Sequence, residues 1–98
     1  MATVLEKVEK ELNIPREQLT HEEVRRFSEI EIKNLSIEIL RVCSKYGVKS
    51  FDELWDKLER GEVSEVECLD DLIKLDYLET GREEMQNFLK EQNKSLYP

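Results

Sequence analysis

Three groupings of side chains have the types and spacing that chemistry would need. The first is an acidic ridge, Glu67, Asp70 and Asp71, which helical spacing puts on one face within a turn, with Lys74 following. Convergent carboxylates are hard oxygen donors of the kind that hold Mg²⁺, and Glu53-x-x-Asp56 repeats the spacing of Glu67-x-x-Asp70. A matching Glu-x-x-Glu is missing upstream, where Glu22-Glu23 run into Arg25-Arg26. The second grouping is His21 with Cys43 or Cys68, a base and a nucleophile if the fold joined them. His21 is the only histidine and sits in a helical first turn beside Glu22 and Glu23. Both thiols lie on apolar stripes, where a free Cys packs as a small hydrophobe. The third is Phe51 with Trp55, one turn apart, which reads as core or as an aromatic anchor for a partner. Glu-x-x-His pairs for a di-iron site, Cys-x-x-Cys for zinc and a glycine-rich phosphate loop are all absent from the sequence. No cofactor is therefore expected. Glu67, Asp70 and Asp71 are the metal candidates, and the same three with Phe51 and Trp55 are the partner-contact candidates.

Charge narrows the classes further. The chain has 98 residues, a formal net charge of −8 and a pI near 4.7. Residues 1–49 hold nine acidic and nine basic side chains, whereas residues 50–84 hold thirteen and four, a net −9. The acidity is thus a block in the second half, which favours a basic partner there or a well-solvated face. Arg16, Arg25, Arg26 and Lys33 form a small basic group, but carboxylates surround it, and the phosphate grip of a nucleic-acid binder comes from Lys and Arg. A nucleic-acid reader is not expected. No apolar run reaches the roughly 18 residues of a membrane span. Two cysteines without a secretory leader point to reduced thiols and a cytoplasmic protein.

The elements that must position these groups are helices. A Ser/Thr-x-x-Glu capping box stands at Thr3/Glu6, Thr20/Glu23, Ser50/Glu53 and Ser64/Glu67. Leu19 with Val24 and Val63 with Cys68 add staples to two of them. Gly47 and Gly61 can take the left-handed conformation that ends a helix, and Asn13-Ile14-Pro15 closes the first one. The spacing predicts helices over 4–12, 21–46, 51–60 and 65–93. Gly81 interrupts the last, as a kink or as a continuous turn; the stripe Leu75, Leu78, Met85 and Leu89 favours continuity. The fold class is all-α, one domain over 1–98. A long antiparallel hairpin of 21–46 and 65–93 carries a capping helix 51–60 and an N-terminal helix 4–12 in a bundle. That hairpin brings Cys43 and Cys68 to one end, within reach of a disulfide under oxidising conditions. The 21–46 helix has two apolar stripes, and the second, Ile30/Ile37/Leu40, calls for the first helix or a second protomer to cover it. A homodimer is the expectation.

The segments 11–19, Lys45-Tyr46-Gly47-Val48-Lys49-Ser50 with Glu53-Leu54, Asp70-Asp71-Leu72 and Leu75-Asp76-Tyr77-Leu78-Glu79 resemble small uncharacterised all-α proteins of thermophilic archaea. The Glu, Lys and Arg content fits a thermophile. Some of those relatives look like antitoxins, which implies neutralising a small partner by wrapping it; the resemblance supplies no functional residue. The leading expectation is a non-catalytic helical interaction protein with an acidic half facing a basic partner. The alternative is a Mg²⁺-dependent all-α nucleotide pyrophosphohydrolase using Glu67, Asp70 and Asp71.

Overall fold

The computed structural model describes residues 4–15 and 18–96. Among these residues there are four helices and no strand: α1 (Val4–Leu12), α2 (His21–Ser44), α3 (Phe51–Glu59) and α4 (Glu65–Leu96). The all-α expectation holds, with element ends within three residues of the expected ones.

The starts form where hydroxyl caps were expected. The Glu23 amide donates to Thr20 Oγ1 at 3.1 Å, Glu53 N–H to Ser50 Oγ at 3.3 Å, and Glu67 N–H to Ser64 Oγ at 3.2 Å. The Thr3/Glu6 box lies outside the described residues. At Ser50 the Glu53 carboxylate reaches one residue beyond the cap and accepts from the Lys49 amide. A further carboxylate joins from α4: Glu79 Oε2 accepts the first amide of α3, Phe51 N–H, at 2.8 Å.

The stops are equally local. Gly47 has φ +66°, and the Val48 amide folds back to the Cys43 carbonyl at 3.1 Å while its side chain is buried. Gly61 has φ +75°, with Gly61 N–H bonded to Leu58 O and Glu62 N–H to Lys57 O. Asn13, at φ 54°, ends α1 the same way; it is the non-glycine residue most able to accept that conformation. Between α1 and α2, Gln18 N–H bonds Pro15 O at 2.9 Å.

The chain divides into two compact units, residues 34–82 and residues 1–33 with 83–98. In the 34–82 unit α2 and α4 run antiparallel, because contacts climb one helix as they descend the other. Lys45 meets Asp71 at 3.6 Å, Glu38 meets Lys74 at 3.8 Å, and Ser36 Oγ accepts from Arg82 at 3.4 Å. The core between them and α3 comprises Ile39, Val42, Cys43, Val48, Leu54, Cys68, Leu72, Leu75 and Leu78, edged by Leu35, Tyr46, Phe51, Leu58 and Val63. Leu54 and Leu75 are wholly buried, each contributing about 1.5–3 kcal/mol of transfer free energy. Val63 packs on the cluster that contains Cys68, as the staple requires. Lys57 closes the end of α2 by donating to the Tyr46 carbonyl at 2.7 Å. Gly81 lies inside α4 with no break, as the stripe favoured.

In the other unit Val8, Val24, Ser28 and Met85 are buried, and Ser28 returns its hydroxyl to the Val24 carbonyl at 2.9 Å. Lys7 pairs with Glu31 at 3.2 Å. No helix among the described residues is long and apolar enough to cross a membrane.

Candidate functional site

The acidic ridge does not converge. Asp71 turns toward α2, where it accepts the Tyr46 hydroxyl and stands 3.6 Å from Lys45 Nζ. Tyr46 Oη also lies 3.3 Å from the Glu67 carbonyl. Asp70, one residue earlier, is turned about 100° round the helix and exposed, and Glu67 is exposed as well. No group of three or more His, Cys, Asp or Glu among the described residues is placed to hold a metal ion. Asp71 is thus a structural acceptor, and its hydrogen bond with burial pushes Tyr46 up to about 12.

The thiols belong to the core. Cys43 and Cys68 are free and buried in the 34–82 unit, whereas His21 is in the other. Burial pushes the Cys43 thiol up, and the Glu79 and Glu53 carboxylates add to the effect, the reverse of an activated nucleophile. His21 Nε2 is buried without a hydrogen-bond partner among the described residues. Of the basic group, Arg25 lies 4.0 Å from Glu29 on α2, and Arg16 falls outside the described residues.

Phe51 and Trp55 separate in role. Phe51 is partly buried on the core, while Trp55 is 44% exposed. Reading the pair as joint core fails for Trp55, because α3 buries only the face carrying Leu54 and Leu58. The rings stack at 6.2 Å and 10°, and Trp55 Nε1 donates to Glu59 Oε1 at 2.6 Å, so the indole is held at both ends. Asp52, three residues before Trp55, and Glu59, four after, share its exposed face of α3, and exposed Asp56 stands next to it in sequence, about 100° round the helix. An aromatic face ringed by carboxylates suits a guanidinium or ammonium group.

Two apolar surfaces remain uncovered. Ile30, Ile37 and Leu40 on α2 are exposed, so the described residues do not supply the cover expected for that stripe. The other surface, on α4, is the one that sequence reasoning missed. Cys68, Leu72, Leu75 and Leu78 face the core, while Val66, Leu69, Ile73 and Tyr77 line the opposite side, Val66 being 94% and Tyr77 75% exposed. Their spacing of three, four and four residues is visible in the sequence; what hid it was assigning only one stripe to this helix. A shallow groove of about 420 Å³ along α1, lined by Glu6, Glu9, Lys10, Asn13, Ile14 and Pro15, is open to solvent.

No solved structure matches this chain. A protein of Methanocaldococcus jannaschii, described as uncharacterized protein MJ0235, is 42% identical over 67 residues, covering 67% of this chain and 82% of the relative. The family model described as "Uncharacterized protein MJ0235 family" matches residues 1–96, nearly the whole chain: the chain belongs to the MJ0235 family.

Proposed function

We propose that this protein works without catalysis, by binding a basic protein segment through the exposed face of α3. The observation that carries the reading is Trp55, exposed and held by its hydrogen bond to Glu59, with exposed Asp52 one turn before it and exposed Asp56 next in sequence. Large, stiff aromatics dominate interface energetics because they bury much area at little entropic cost. The surrounding carboxylates and the net −9 of residues 50–84 steer cations toward that ring. Neutralising a basic partner, in the manner of an antitoxin, is the concrete form of this reading.

Trp55 is the sole tryptophan, so its emission reports directly on the face. Titration with an Arg-rich helical peptide at low salt is expected to change that emission saturably, and binding should weaken as salt rises. By calorimetry, Asp56→Lys should weaken binding about tenfold, well beyond the same reversal at Glu84, an exposed residue outside α3. No emission change at low salt, or equal losses for the two reversals, would mean the α3 face is not the binding surface.

A further inference from the structure

The back of α4 has a property that the α3 face lacks: its apolar row matches its own reverse to within one residue. Val66, Leu69, Ile73 and Tyr77 occupy one exposed strip, all within the 34–82 unit. The strip is about 16 Å long at the helical rise of about 1.5 Å per residue. Reversing the helix about the midpoint between residues 71 and 72 lays Val66 on Tyr77 and brings Leu69 and Ile73 to within one residue, about 1.5 Å of rise, of each other. In a two-fold pairing of identical helices residue i meets j and j meets i, so each of these apolar matches is made twice.

The charges obey the same reversal on one side of the strip. Asp70 and Lys74 flank it together, both exposed, and the same reversal brings Asp70 to within one residue, about 1.5 Å of rise, of Lys74 of the other copy, twice, which the long lysine stem can span. In antiparallel helix pairs the same flank of each helix faces its equivalent, so both ion pairs fall along one seam. Lys74 in the isolated chain leans to Glu38 at 3.8 Å, a loose surface pair that its long stem can leave. The opposite flank carries Glu65 and Asp76, which the reversal brings near one another as like charges. That repulsion, with the net −8 of each chain, is screened by salt.

We propose that α4 is a self-pairing helix: a second copy of this chain docks antiparallel on the strip Val66/Leu69/Ile73/Tyr77, sealed along one edge by reciprocal Asp70–Lys74 ion pairs. The strip is small beside the interfaces of permanent dimers, so the pairing is a reversible, micromolar one. It is independent of the α3 face, and its salt response has the opposite sign: self-pairing tightens with salt, whereas capture of a basic segment loosens.

The test is sedimentation equilibrium of the full chain from low to high micromolar concentration, at two salt levels, with helicity checked by circular dichroism. A monomer–dimer equilibrium is expected that strengthens with salt. Ile73→Glu, at an exposed position, should weaken it about a hundredfold with helicity unchanged, since the new carboxylate would be desolvated in the seam. Asp70→Lys and Lys74→Asp should each weaken it about tenfold, and the double variant should recover to within about threefold of the native chain. Leu40→Glu, on the other uncovered surface, should leave it unchanged. A chain that stays monomeric throughout overturns the proposal. So does a dimer that survives Ile73→Glu or dissolves with Leu40→Glu, and failure of the double swap to recover overturns the antiparallel seam. In each of those cases the Asp56→Lys titration still decides the α3 reading by itself.

Discussion

The Tyr46 hydroxyl shows how one side chain reassigns another. By spacing, Asp71 belongs to an acidic ridge; by contact, it is the acceptor that fixes Tyr46 at the end of α2. Its carboxylate favours the neutral phenol, which lifts Tyr46 to about 12 against about 10 in an unfolded chain. The native state therefore holds this proton more tightly than the unfolded state does. The stability it contributes is complete below about pH 10 and is lost as pH climbs through about 12. Tyrosinate absorbance against pH should show a late-titrating group that Tyr46→Phe removes, and the fall in urea midpoint above pH 10 should be shallower in that variant. An absorbance curve unchanged by the substitution would show that the phenol is not so held. Trp55 and Phe51 make the complementary point: adjacent turns of α3 carry them, but only Phe51 reaches the core.

At the scale of elements, ends were legible and faces only partly so. Caps at Thr20, Ser50 and Ser64, and the glycine stops at 47 and 61, depend on a few consecutive residues and backbone hydrogen bonds that close locally. Asn13 was readable in the same way, as the residue after α1 that tolerates a positive φ, yet it passed as part of a proline stop. Gly81 posed a question that spacing could not close, because kink and continuity have the same letters. Inside α4, a Cβ there would meet Leu35 Cδ1 at 3.9 Å, an ordinary van der Waals contact, and no positive φ stands in the way. Gly81→Ala should therefore raise stability by about 0.5–1 kcal/mol through a less flexible unfolded chain. A lower urea midpoint for this variant would reveal a close approach that the contact distance does not show.

For the molecule as a whole, charge and burial set what solvent can reach. The thirteen acidic side chains of residues 50–84 stay mostly outside, while both thiols are sealed within one core. Cys43 and Cys68 should resist a neutral thiol reagent in the native protein and label fully in denaturant. Because burial pushes the Cys43 thiol up, raising pH moderately should not by itself expose a reactive thiolate there. Labelling of the native protein at the rate of a free thiol would show that the 34–82 core opens far more readily than its packing implies.

The sequence by itself determined the helices, their starts and stops, the all-α class and the −9 block, because periodicity, caps and composition act over short stretches of chain. Tertiary structure alone decided which face of each helix is covered. Spacing shows that α4 is apolar on two sides, but only packing against α2 and α3 selects Leu72 and Leu75 for the core and leaves Val66, Ile73 and Tyr77 outside. The same choice withdrew Asp71 from the ridge and turned Trp55 outward, since a side chain's role depends on which neighbour removes it from water.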